Sequence, residues 1–372
     1  MISFCMENNN ENGNEMDLMK VLIVAPSLNL GNNVSGVSAV TRFILDNNEE
    51  CRYQHFLQGR SDDERGTANR VCRILKNYRK WKRLLRRTDA TIIHYNFPLD
   101  TPSIIRDFFF MRKAYMQGKK MVIHIHGGLY LFKEKKPFII KKFLNTVFSW
   151  ECPFIVLSEK EKVRIQQDYH TKNVFVLPNC VDLSVAKSYT KTIASSHLDI
   201  LYLGRIEPNK GMDYLYDSIK EWKNEFEDFT LHFAGIEQGN NGYIEKYQRL
   251  LGEKFVYEGV VAGEKKNELL KKCQIFILPS LYEGLPMSLL ESMSFGLVPV
   301  VTDVGSIGEY VKDHENGLLI KASDIKSITD ALRYLAQNHD VLQRLSKAAQ
   351  QTILTHFSQH EYVSKLNHIY SL

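Results

Sequence analysis

No stretch of this chain strings together the roughly 18 apolar residues that a helix needs to cross a bilayer, so no membrane-spanning segment is expected. Cysteine is sparse: six, at positions 5, 51, 72, 152, 180 and 273, with no C-x-x-C and no paired spacing. That excludes a zinc ribbon and a disulfide framework, and fits a reduced, cytoplasmic setting. Residues 1–5 have neither a basic flank nor a long apolar core, which argues against a signal peptide. Proline is scarce as well, ten in 372 residues, while 44% of the chain is apolar, a composition for folded domains. The exception is residues 7–15, almost only Glu, Asn and Gly, so residues 1–17 are expected to form a disordered tail.

What is present divides in two. The chain is too long for one ordinary core. Residues 1–190 carry 29 Lys and Arg against 19 Asp and Glu (+10), and residues 191–372 carry 19 against 24 (−5), so the net +5 hides a basic first half. Short apolar runs alternate with amphipathic stretches, twice over, which predicts two α/β units with parallel sheets. Strands are expected at residues 21–25, 91–95, 121–125, 154–157 and 174–177, then at 200–203, 230–234, 255–257, 275–278 and 298–302. Helical patterns at residues 35–45, 212–222 and 264–273 separate several of them, and three more follow at 325–337, 341–355 and 359–370. The expected division is an N-terminal domain at 18–183, a linker rich in Ser, Thr and Lys at 184–198, a C-terminal domain at 199–356, and a final helix at 357–372. Ligands of open α/β sheets bind at the carboxyl ends of strands, so the expected site is a cleft between the two domains.

The most informative segment is Glu283-Gly284-Leu285-Pro286-Met287-Ser288-Leu289-Leu290-Glu291, directly after the strand expected at 275–278. Pro286 suits a first helical position, where its missing N–H costs nothing. The amides of Met287 to Leu289 are then helix-start donors without intrahelical partners, and the dipole there favours an anion. Glu283 precedes them in the loop, and Glu291 lies two turns along the helix. An anion cradle flanked by two hydroxyl acceptors suits the diphosphate and sugar hydroxyls of a nucleotide sugar.

The spacing of Glu283 and Glu291 resembles the signature of family-4 retaining glycosyltransferases, which have the GT-B fold of two facing Rossmann-like domains. Other motifs follow in that family's order: Gly204-Arg205-Ile206-Glu207-Pro208-Asn209-Lys210-Gly211, Pro178-Asn179-Cys180-Val181-Asp182, Phe295-Gly296-Leu297-Val298-Pro299 and Glu315-Asn316-Gly317. Cys180 stands where the family usually has Gly. The likeness is dense across residues 174–320 and thin before them.

Transfer from such a donor builds negative charge on the leaving diphosphate, which cationic side chains and backbone donors can offset without a metal. Arg205 offers a planar fork for phosphate oxygens and Lys210 a mobile point charge. No Asp-x-Asp follows a strand, so no metal cofactor is expected. The resemblance implies that Glu291 accepts from the nucleoside ribose, that Glu283 contacts the transferred sugar and helps catalysis, and that Gly284, Leu285, Pro286, Met287 and Ser288 hold the donor.

In the first half, His124 and His126 fall on the same side of the strand expected at 121–125. His124 reads as a satisfied core residue. Gly127 and Gly128 after His126 let a ligand approach the backbone, and the resemblance makes His126 the histidine that contacts the donor sugar. In the polar loop at residues 26–38, Gly36 resembles a glycine that meets donor phosphate or acceptor, though it lacks the usual Gly-Gly pair, and a plain loop fits it as well. Residues 70–87 carry nine Lys or Arg and no acid, with Val71, Ile74, Leu75, Tyr78, Trp81, Leu84 and Leu85 on one stripe. A buried helix face explains that stripe. Contact of the basic domain with an anionic membrane surface, through Trp81, Tyr78 and the lysines near Phe138 and Trp150, is the alternative. Nucleic acid is not an expected partner, since no recognition motif is present.

These readings predict a cytoplasmic, peripherally membrane-associated retaining glycosyltransferase. It would move a sugar from a UDP- or GDP-linked donor to a lipid-linked or polysaccharide glycan. The alternatives are a nucleotide-sugar epimerase of the same fold and a catalytically silent scaffold.

Overall fold

The computed structural model describes residues 18–29, 35–59, 67–193, 196–239 and 241–372. The expected tail at 1–17 and loop residues 30–34 lie outside them. Two parallel sheets of six strands each carry the chain, the α/β architecture expected from the sequence. One comprises β1 (Met19–Ala25), β2 (Cys51–Leu57), β3 (Ile92–Asn96), β4 (Lys120–His124), β5 (Phe154–Val156) and β6 (Val174–Val176), in the order β2-β1-β3-β4-β5-β6. The other comprises β7 (Leu198–Leu203), β8 (Phe229–Ala234), β9 (Phe255–Gly259), β10 (Ile275–Leu278), β11 (Val298–Thr302) and β12 (Leu318–Ile320), in the order β12-β11-β10-β7-β8-β9.

Parallel strands covered on both faces read as continuous apolar runs, and β3, β10 and β11 are buried at every position. Sequence reading missed β2 and β12. β2 (Cys-Arg-Tyr-Gln-His-Phe-Leu) is an edge strand with mixed burial, and β12 is only three residues long, so neither shows such a run. Pro299 is tolerated inside β11 because β12 pairs only from Val300 onward.

The chain divides into two compact units. One holds the first sheet as far as Pro178 and takes in Tyr362–Leu372; the other holds Asn179–Glu361. In the first unit, Phe43 meets Tyr362 edge to face at 5.3 Å, and Asn48 donates to the Asn367 side chain at 2.7 Å. In the second, Lys191 is buried, and its ammonium donates to the carbonyls of Leu270, Lys271 and Cys273 around the end of the helix Gly263–Lys272.

The basic helix Thr67–Arg87 turns its stripe mostly inward. Trp81 is fully buried against Phe56, Tyr95 and Phe110, with its indole N–H on the Phe110 carbonyl at 2.9 Å, and Tyr78 packs half-buried on Phe110. Trp150 is buried too. Membrane contact through Trp81 and Trp150 is therefore corrected: both are core residues, while Val71 and Leu75 are the exposed members of the stripe. Trp81→Ala is expected to lower stability by about 3–5 kcal/mol, the usual cost of emptying an aromatic core site. An unfolding free energy from urea titration that stays within a few tenths of a kcal/mol of the parent's would contradict this packing.

Candidate functional site

In the second unit the chain lays β7, β8 and β9 outward, then returns to place β10 against the other edge of β7. Such a reversal leaves a crevice at the carboxyl ends of the two adjacent strands, where ligands of open α/β sheets bind. The loops leaving β7 and β10, residues 204–211 and 279–286, flank it.

These loops are pinned together. The Leu281 amide donates to the Asn209 carbonyl at 2.9 Å. Gly211, at φ +74°, lies so close to the second loop that a side-chain carbon there would stand 2.0 Å from the Pro279 carbonyl oxygen. Lys210 Nζ reaches Glu283 Oε1 at 2.7 Å, and Ser280 Oγ donates to the same oxygen at 2.7 Å. Two site residues far apart in sequence thus form one partly buried ion pair. A third loop, after β11, closes on the carbonyl side. The Ser306 amide donates to the Gly284 carbonyl at 2.9 Å, and Gly305, at φ +61°, leaves room for the Glu283 carbonyl. Asn179 Nδ2 donates to the Leu285 carbonyl at 2.7 Å.

With those carbonyls held, the helix Met287–Ser294 begins. Pro286 is its cap, extended at φ −66° and ψ 130°, one position before the first helical place expected for it. The Leu290 amide donates to the Pro286 carbonyl at 3.3 Å, while among the described residues nothing accepts from the amides of Met287, Ser288 and Leu289. Free N–H groups at a helix start, with the dipole behind them, attract an anion. Glu291 projects from the second turn of this helix, one oxygen 2.8 Å from Lys266 Nζ.

Arg205 follows β7. The Tyr202 hydroxyl donates to its carbonyl at 2.5 Å, and Gly235 lets the Gly204 carbonyl approach so closely that a side-chain carbon would lie 1.9 Å from it. Burial, then Glu283 and Glu207, push the Tyr202 pKa well above its ordinary value, so this hydroxyl stays protonated and can donate. The backbone of 204–205 is fixed, yet the half-buried guanidinium meets no acceptor among the described residues. The second unit therefore brings together Arg205, Lys210, Glu283 and the 284–288 turn, with Glu291 further along the same helix. Among the described residues no cluster of His, Cys, Asp or Glu is suited to a metal ion.

The first unit carries His126, just past β4. Its Nε2 lies 2.5 Å from Asn96 Oδ1. The Asn96 amide nitrogen donates to the Val24 carbonyl at 2.9 Å, which turns its oxygen toward His126, so Nε2 must carry the proton. Burial, then the neighbouring His94, lowers the His126 pKa to about 3. The ring is neutral near pH 7, and its Nδ1 is an acceptor with no partner among the described residues. His124 stacks on His126 with centroids 4.0 Å apart and is fully buried, a core residue as expected, but not a satisfied one, since its Nε2 has no partner among the described residues. His124 Nδ1 meets His94 Nε2 at 3.2 Å, and His94 Nδ1 meets the Tyr370 hydroxyl at 2.8 Å.

The two glycines after His126 do not both serve a ligand. A side-chain carbon at Gly128 would stand 2.1 Å from Leu99 Cβ, so its bareness makes room for packing. Gly36 opens the helix Gly36–Asn47, and a side-chain carbon there would meet none of the described residues within 4 Å, so packing against them does not demand glycine. Sequence reading missed Asn96, Ser280, Lys266 and Gly305. Asn96 had a signal, a polar residue ending a buried strand; the others are placed by tertiary contacts that no local pattern encodes.

Residues 190–352 match the family model described as glycosyl transferases group 1, and residues 37–185 the model described as glycosyltransferase family 4. An Escherichia coli UDP-Gal:alpha-D-GlcNAc-diphosphoundecaprenol alpha-1,3-galactosyltransferase is 26% identical over 276 residues, 69% of this chain and 70% of that protein. Other curated relatives match over 54% of their own length. Among solved structures, a sucrose-phosphate synthase from Thermosynechococcus elongatus superposes with TM-score 0.76 at 14% identity, covering 95% of this chain and 98% of that one. HepE of Anabaena in complex with UDP-glucose superposes with TM-score 0.70 at 15% identity, covering 95% and 99%.

The histidine cluster gives a pH dependence whose sign is fixed. Burial lowers the pKa of His94 and His126 to about 3, and that of His124 well below 6.5, so the unfolded chain binds more protons between those values and 6.5. Stability is then intact above pH 6.5 and is lost as pH falls, by up to about 4 kcal/mol per pH unit for three sites. Urea midpoints at pH 7, 6 and 5 read this directly, and a flat profile would contradict neutral burial of the cluster. Gly211→Ala is expected to lower the melting temperature and separate the two site loops, whereas Gly36→Ala should leave it within experimental scatter.

Proposed function

The chain belongs to the group 1 glycosyltransferases of GT-B fold, and from that premise we propose that it is a retaining, metal-independent enzyme using a UDP- or GDP-sugar. The acceptor is a hydroxyl of a lipid-linked or polysaccharide glycan at the cytoplasmic face of the membrane. The observation that carries the donor reading is the Arg205 guanidinium without an acceptor, in the loop pinned to a helix start with free amides. UDP-glucose in HepE and the UDP-Gal donor named for the E. coli relative support UDP as the nucleotide. The diphosphoundecaprenol in that relative's name supports a lipid-linked acceptor.

On this reading Arg205 and the amides of residues 287–289 take the diphosphate, with Lys210 beside them and Gly284, Leu285 and Pro286 shaping the turn. Glu291 accepts from ribose hydroxyls. Glu283 orients the sugar, and His126 offers an Nδ1 that can accept from a sugar hydroxyl. The bond from the anomeric carbon to the phosphate oxygen breaks through an oxocarbenium-like state. The acceptor oxygen bonds to that carbon on the same face, and its proton passes to the departing phosphate. Gly36 is the glycine that would meet phosphate or acceptor.

A thermal-shift panel of UDP-, GDP-, ADP- and dTDP-sugars without added metal tests the donor site. One sugar nucleotide at ~100 times its dissociation constant should stabilise the chain by about 2.7 kcal/mol. Arg205→Ala should weaken that ligand about 10- to 100-fold, the worth of a charge-assisted hydrogen bond. Glu283→Ala should abolish transfer while the fold persists; turnover that survives it would sink the site assignment. Conversion of the donor sugar without an acceptor would identify an epimerase, and no shift with any donor would leave a silent scaffold.

A further inference from the structure

We propose that the first unit docks on an anionic lipid bilayer through the neighbouring helices Thr101–Tyr115 and Phe138–Phe148, with Phe138 and Ile139 as the inserted residues. Phe138 is 83% exposed, the largest exposure among the exposed apolar side chains of the described residues, and Ile139 is 50% exposed. Two aromatic contacts join the helices: Phe143 stacks on Phe108 at 4.1 Å and meets Phe109 edge-on at 5.8 Å. Residues four apart share a helix face. Ile105 and Phe109 on one helix and Phe138 and Ile139 on the other are therefore exposed side by side, with the half-buried Phe143 packed between the helices and Met116 exposed in the turn beyond.

The charge around these rows selects the partner. Residues 101–150 hold ten Lys or Arg and two acids, Asp107 and Glu134. Asp107 is buried on Arg106 at 2.6 Å, which leaves Glu134 as the exposed acid of the segment. Lys141 and Lys142 lie one helical turn from Phe138, and Lys133 and Lys135 precede it. All four are exposed and none forms an ion pair among the described residues. An apolar ridge edged by ammonium groups without a carboxylate partner among the described residues matches an acyl boundary beneath anionic headgroups, at a depth that a surface helix reaches. A protein partner of matching acidic and apolar character would need a complementary surface. A bilayer needs only charge and apolar area, and those are what the face presents. This surface is separate from the donor-binding residues of the second unit, so the inference does not rest on them.

The experiment is co-sedimentation of the full chain with vesicles of phosphatidylcholine alone and with about 30% phosphatidylglycerol, at an ionic strength of about 0.15 M. The chain should bind the anionic vesicles and not the neutral ones. Each lysine removed should weaken partitioning about fivefold, so Lys141→Glu with Lys142→Glu should abolish it, as should Phe138→Ala with Ile139→Ala. Tyr257→Ala, at an exposed site of the second unit, is the control that should bind as the parent does. Nucleotide-sugar thermal shifts unchanged in these variants would show that fold and donor site are intact. The proposal is overturned if the parent ignores anionic vesicles or if both double variants still bind. It is overturned too if Phe138→Ala instead dissociates a dimer seen by sedimentation, which would make the face a contact between copies.

Discussion

The second unit's site depends on the contact between the loops that leave β7 and β10. Gly211 against the Pro279 carbonyl brings the loops within bonding distance, and the Lys210–Glu283 pair closes the join at 2.7 Å. Both side chains are mostly buried, so water screens the pair weakly and losing either partner strands a charge. The pair also sets which cation is free. Sequence alone offers Arg205 and Lys210 as equivalent phosphate ligands, but in the structure Lys210 is neutralised by Glu283 and Arg205 is not.

The first unit uses the opposite device. Where the second unit holds a charge unneutralised, the first holds three imidazoles neutral by burial. Asn96 then decides which nitrogen of His126 is the acceptor, because its own amide is anchored on Val24. A neutral His126 with an Nδ1 unpartnered among the described residues can accept a hydrogen bond and carries no positive charge near pH 7.

Much of this was legible in residues 174–320. Parallel strands buried on both faces show as apolar runs, and the helix start after Pro286 shows in its turn chemistry. Edge strand β2 was not legible, because half its side chains meet solvent and its register comes from β1. Nor was the pairing of Lys210 with Glu283, which follows from the order of β7 and β10 in the sheet. Gly128 shows the limit of reading glycine from sequence: its bareness serves Leu99, whereas Gly36 packs against none of the described residues. The stripe of residues 71–85 was legible as a helix, and tertiary packing alone decided that Trp81 lies inside it.

The central claim is that the second unit binds the diphosphate of its donor through Arg205 and the helix-start amides. Calorimetric titration of the metal-free chain with UDP and with uridine, for parent and Arg205→Ala, tests it most directly. The account predicts that UDP binds the parent far more tightly than uridine does, and that Arg205→Ala removes most of that difference. Equal affinity for UDP and uridine, or a difference untouched by Arg205→Ala, would contradict it.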